Sequence, residues 1–145
     1  MKLTVEFTDS LATKTPFSFG NNLFGYTYTD TQFPDGMHYR GRTLGFSLDT
    51  DSTLLSLQGS WSDAGGRFYE LSLHHAVIGN AHAPAANIVS AAPVLLNMAE
   101  ARVSLPLPSF GQGLVLDLAG RLQDDQPRPH KGLAAAIEVA LRAPL

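Results

Sequence analysis

The sequence contains no cysteine. Neither a disulfide nor a thiolate zinc site can form, and the redox character of the compartment stays open. Charge is scarce too. Charged residues make up 16% of the chain, against about 25% in an ordinary soluble domain. A net charge of -3 and a pI near 5.9 leave no basic surface of the kind that grips nucleic acid. Long hydrophobic runs are also missing. The most apolar stretch, "AANIVSAAPVLLNMA", is broken by Pro93 and falls short of the roughly 18 apolar residues of a membrane-spanning helix. At the start, Lys2 is followed by Glu6 and Asp9 before any apolar core of a signal peptide develops. These absences fit a cytosolic protein, or a mature or partial piece of an exported one. The length of 145 residues is one domain's worth, and mean hydropathy is +0.00.

What the chain does have is alternation with a period of two, the signature of a strand with one apolar face. "KLTVEFTD" sets Leu3, Val5 and Phe7 against Thr4, Glu6 and Thr8. "LFGYTYT" sets Phe24, Tyr26 and Tyr28 against Gly25, Thr27 and Thr29. The pattern returns in "TLLSLQGSW", "RFYELSLHHAV", "MAEARVSL" and "LVLDLAGRLQ". The seventh segment, "AAAIEVALR", is ambiguous. Its alanines favour a helix, and Glu138 and Arg142 would pair at i,i+4. It is taken as a strand because its six neighbours alternate. The expected fold is all-β, an antiparallel up-and-down meander of about seven strands in a single β domain over 1–145.

Two architectures satisfy this pattern. A soluble sandwich or open barrel turns the apolar faces inward. A transmembrane barrel turns them to lipid and the polar faces to the lumen. Three features favour the membrane. The apolar faces are modest and lipid-like, mostly Leu, Val, Ala and Tyr, with few large aromatics to fill a core. Tyr26, Tyr28, Trp61 and Tyr69 fall near strand ends, where interfacial aromatics belong. Connections alternate in length, with long ones around 31–51, 79–93 and 124–131 and short ones around 62–66 and 106–112. The segment 10–20 fits that alternation less well.

The residues that carry a family likeness lie in "DGMHYRGRTLGFSLDTDSTLLSLQGSW", with Asp35-Gly36, Arg40-Gly41-Arg42, Leu44-Gly45, Asp49 and Asp51 the most specific. Together with "GRFYELSLHH" and the segment from Leu114 to Leu145, they resemble the C-terminal part of the bacterial capsule assembly protein Wzi family. That resemblance implies an outer-membrane β-barrel that binds capsular polysaccharide, is lectin-like rather than enzymatic, and helps keep the capsule on the cell surface. In the family a helical N-terminal region plugs the barrel. This chain has no such region and about seven of the strands, so it is expected to be a C-terminal fragment of a larger barrel. Its expected partners are polysaccharide, outer-membrane lipid, and the rest of the barrel or another copy to close the sheet.

Candidate sites follow. His38, Tyr39, Arg40, Arg42, Asp49 and Asp51 bring into one loop the planar polar and aromatic groups that bind sugars. The competing reading is a loop held by its own Arg–Asp pairs. Glu70, Glu100, Arg102, Asp117, Arg121, Glu138 and Arg142 share polar strand faces and would line a barrel lumen; in a soluble sheet they are a solvated face. His74 and His75 point to opposite faces of a strand, so they cannot share a metal. No cofactor or metal is expected. No carboxylate pair at a glycosidase separation is evident, so no enzyme activity is expected. The polar loop "QDDQPRPHKG" offers Arg128, His130 and Lys131 beside Asp124 and Asp125.

Overall fold

The computed structural model describes residues 1–11, 25, 27, 38–39, 42–43, 47–79, 81, 87–108, 113–127 and 133–143. The strands are β1 (Lys2–Asp9), β2 (His38–Tyr39), β3 (Arg42–Thr43), β4 (Thr53–Ser62), β5 (Phe68–Ile78), β6 (Val94–Pro106), β7 (Val115–Gln126) and β8 (Ala134–Arg142). Six of them form one antiparallel up-and-down sheet in the order β1-β4-β5-β6-β7-β8, and β2 and β3 pair separately. The sheet is not closed, and β1 and β8 are its edges.

Six of the seven expected strands are present. The expected strand "LFGYTYT" lies outside the described residues except Gly25 and Thr27, which are turn residues. β1 pairs directly with β4, so 10–52 is a single connection. Of segment 10–20, residues 12–20 lie outside the described residues.

One expected loop needs correction. The connection after β7 is 127–133, no longer than 107–114 after β6. The strand continues through Asp124 and Asp125, where polar side chains bond along one face at i,i+2. Gln123 Nε2 donates to Asp125 at 3.0 Å. The ambiguous "AAAIEVALR" is a strand because β7 pairs it in full register, from Val115↔Arg142 to Gln123↔Ala134. Leu116, Leu118 and Leu122 oppose Leu141, Val139 and Ala135, whereas Asp117, Ala119 and Arg121 oppose Ala140, Glu138 and Ala136. Matched cross-strand faces outweigh the intrinsic helix preference of alanine.

Burial runs opposite to that of a water-soluble sheet. In β5, Leu71 is 52% exposed and Leu73 43%, while Ser72 between them is 5% exposed. β1 repeats this, with Leu3, Val5 and Phe7 exposed and Thr4 and Thr8 half-buried. The only buried hydrophobic residues among those described are Ala76 and Ile78. The apolar faces therefore pack on nothing within the described chain.

The chain forms two compact units. The first comprises Met1–Glu6, Ser56–His74 and Asn97–Leu145, and carries the central strand segments and the tight turn 63–67. Asp63 organises that turn, accepting at Oδ1 from Arg67 N at 2.9 Å and at its carbonyl from Gly66 N at 3.2 Å. The exposed Trp61 stacks on Tyr69 across the turn, centroids 5.1 Å apart. The second unit comprises Phe7–Leu55 and His75–Leu96 and contains the long connections 10–52 and 79–93.

Candidate functional site

In the first unit the polar strand faces carry a row of charged side chains. Asp117 opposes Ala140 in the β7–β8 register, and Arg142 lies two residues further along β8. The alanine leaves the diagonal open, and the guanidinium crosses it. Arg142 Nε donates to Asp117 Oδ2 and its NH2 group to Asp117 Oδ1 at 3.0 Å, a two-point fork. Ser104 on β6 donates its hydroxyl to the same carboxylate. Asp117 is thus held by both flanking strands and is buried. Farther along, Arg121 Nε donates to Glu100 Oε1 at 2.5 Å. On β4 and β5, Ser56 Oγ and His74 Nδ1 share a hydrogen bond of 2.9 Å.

Small residues alternate with these charges, and the face is hollow as a result. A concave space of about 490 Å³ is lined by Phe68, Arg102, Ser104, Asp117, Glu138 and Arg142 among others. Another of about 520 Å³ includes Glu70, Glu100, Arg102, Arg121 and Glu138. The seven charges expected to share polar strand faces therefore do line connected stretches of one surface. Such a surface can bind hydroxyl-rich or charged ligands through planar polar groups.

Asp117→Asn and Arg142→Gln are each expected to lower the thermal midpoint, and the double variant no further than the worse single one. Either change removes the same fork, so their effects are coupled. A double-mutant cycle by thermal unfolding checks this; additive losses would show that the pair is not a unit.

In the second unit the loop around Asp49 and Asp51 is built differently. Asp49, Thr50, Asp51 and Ser52 are essentially inaccessible. Asp49 and Asp51 have φ of 66° and 54°, a left-handed conformation that Asp tolerates better than most residues. Asp49 Oδ2 accepts from Ile88 N at 2.8 Å, and Asp51 Oδ2 from Gly25 N at 2.7 Å. Ser10 Oγ donates to Asp49 O at 2.6 Å and accepts from Ser52 N at 2.9 Å. Asn87 Nδ2 donates to Leu48 O at 2.9 Å and to Thr50 O at 2.7 Å, while its Oδ1 accepts from Val89 N and Ser90 N. Gly79, with φ of 73°, donates its N–H to Ser52 Oγ at 3.1 Å. Burial pushes the Asp51 carboxyl above its ordinary range, against the Gly25 N–H, which pulls it down.

Of the loop residues expected to touch sugar, Asp49 and Asp51 are brought together but enclosed, with their carboxylates bonded to backbone of other segments. His38 and Tyr39 pair with Thr43 and Arg42 through the backbone, and Arg40 lies outside the described residues. Arg128, His130 and Lys131 also lie outside them. Sequence reasoning missed Ser10, Thr50, Ser52 and Asn87. An asparagine ahead of "IVS" is a signal for a local side-chain turn, but its bonds to residues 48–52 have no local signature.

The fold defined by these strands is an all-β antiparallel meander with an exposed apolar face and a hollow polar face. No family model, curated protein or solved structure matches the chain.

Proposed function

We propose that the chain is part of a bacterial outer-membrane β-barrel that binds capsular polysaccharide and helps assemble or retain the capsule on the cell surface. The observation that carries this reading is the inverted burial: Leu71 and Leu73 stand exposed on either side of buried Ser72, and Leu3, Val5 and Phe7 stand exposed beside half-buried Thr4 and Thr8. Hydrocarbon is the natural cover for such a face, and a lumen for the polar one. A sandwich module would need a second layer over the apolar face, and the described residues supply none. The stacked Trp61–Tyr69 pair beside the short turn suits an interfacial girdle. Edges at β1 and β8 are costly in lipid, so the rest of the barrel or another copy closes the sheet.

The polysaccharide assignment rests on the motif resemblance around Arg40-Gly41-Arg42 and on the planar polar groups available. Asp49 and Asp51 act in it as scaffold rather than as sugar ligands. The test is binding of purified capsular polysaccharide to the detergent-folded chain, wild type against Arg40→Ala/Arg42→Ala. Loss of two charge-assisted contacts is expected to weaken binding about tenfold or more. Unchanged binding would remove this loop from the site.

A further inference from the structure

We propose that the polar face of the first unit holds a subsite for one neutral hexose residue, a subsite that rests on the polysaccharide reading and gives it a defined sugar. Phe68 is its platform, and Arg102, Glu70 and Glu138 are its polar contacts. On β5, Phe68 precedes Tyr69, which stacks on Trp61. Side chains alternate along a strand, so the Phe68 ring falls on the polar side with Glu70 and buried Ser72. There it borders the space of about 490 Å³ together with Arg102 and Glu138. The ring is only half-buried within the chain, so part of its apolar surface is left for a ligand. An aromatic face fits the C–H side of a sugar ring, while the hydroxyls at the ring's edge reach polar neighbours.

Those neighbours are uncommitted. On the same face Arg121 is taken by Glu100 and Arg142 by Asp117. Among the described residues, Arg102, Glu70 and Glu138 form no ion pair and no side-chain hydrogen bond. Yet all three border the second space, of about 520 Å³. Arg102, Ala119 and Glu138 border both spaces. Ala119 lies directly opposite Glu138 in the β7–β8 register, and its small side chain leaves room beside the carboxylate. Each space falls within the range of about 300–1,000 Å³ that holds small ligands. Two carboxylates beside one guanidinium set the charge of the occupant. Sugar hydroxyls donate to carboxylates and accept from a guanidinium, so a neutral ring satisfies all three groups. A sugar acid would bring a third carboxylate against Glu70 and Glu138, and that repulsion selects against it.

Saturation-transfer NMR tests the subsite on the 145-residue chain, folded in an amine-oxide detergent that carries no sugar. The probes are maltose, lactose, mannobiose and digalacturonic acid. At least one neutral disaccharide is expected to bind with a dissociation constant of about 1 mM, and the acid about tenfold more weakly or worse. Phe68→Leu keeps an apolar side chain and removes the flat ring. Arg102→Gln keeps a donor and removes the charge. Each is expected to weaken binding by about fivefold to tenfold, with circular dichroism confirming an intact sheet. Should one variant fail to fold, the other and the acid comparison still decide the matter. No transfer to any neutral disaccharide at about 10 mM, well above the expected constant, would overturn the proposal. If purified capsular polysaccharide still bound, the subsite alone would fall; if it did not, the polysaccharide reading would fall too. Variant affinities equal to wild type, or tighter binding of digalacturonic acid, would also overturn it.

Discussion

Asn87→Ala is expected to release the 48–52 loop, raising amide exchange there by about a hundredfold or more while the central strand amides change far less. One amide side chain holds that segment to its own. Its Nδ2 group reaches Leu48 O, Thr50 O and Ser52 Oγ at 2.9, 2.7 and 3.1 Å. Its Oδ1 accepts from Val89 N at 2.8 Å and Ser90 N at 3.1 Å. Removing the amide takes the acceptor from Val89 N and Ser90 N and leaves Leu48 O and Thr50 O to share the single proton of the Ser52 hydroxyl. Each group left unpaired costs about 1–3 kcal/mol, so a total near 3 kcal/mol is a modest expectation. That corresponds to roughly a hundredfold in the opening equilibrium. Asn87→Asp should be no milder, because a carboxylate oxygen would then face the Leu48 and Thr50 carbonyls. Hydrogen exchange read by mass spectrometry resolves the peptide containing 48–52 from those of β5 and β7. Protection within about threefold of wild type for both variants would show that Asn87 does not hold the loop.

This loop also marks where the sequence stopped being informative. The strands were legible because alternation is local. Leu3, Val5 and Phe7, or Leu71 and Leu73, announce a face within a few residues. The polar-face row from Glu70 to Arg142 was legible for the same reason, since parity alone assigns a side. Pairing partners were not. That Arg142 reaches Asp117 across Ala140 depends on a register that no single strand encodes. β7 was read too short because Gln123, Asp124 and Asp125 look like loop residues until their mutual bonds satisfy them on a strand face. Asp49 and Asp51 stand among the sugar-binding candidates in the sequence because carboxylates in a glycine-containing loop are usually accessible. Their partners, Ile88 N and Gly25 N, lie 39 and 26 residues away, and nothing local forecasts burial at that range. The same reasoning explains why Ser10 went unnoticed: its hydroxyl matters only once 49–52 folds against it.

Leu73→Arg should separate the membrane reading from any water-soluble one by the size of its effect. Leu73 is 43% exposed in the middle of β5, four residues from Tyr69 of the aromatic stack. If that stack marks an interface, strand rise of about 3.3 Å per residue places Leu73 well inside the hydrocarbon, allowing for tilt. An arginine on the lipid face near the midplane costs about 2–4 kcal/mol. On a solvated surface the same change is usually within about 0.5 kcal/mol. Ser72 supplies the contrast, because its side chain belongs to the opposite, polar face. Ser72→Thr adds one methyl there and should leave insertion into lipid nearly unchanged. The closing strands matter to the assay, so the variants are compared in the longest reading frame that inserts into vesicles. The measurement is the folded fraction in bilayers against urea, scored by the heat-resistant electrophoretic shift of folded barrels. A Leu73→Arg midpoint well below both wild type and Ser72→Thr is expected. A shift confined to a few tenths of a kcal/mol would mean that water, not lipid, covers this face, and the barrel proposal would fall with it.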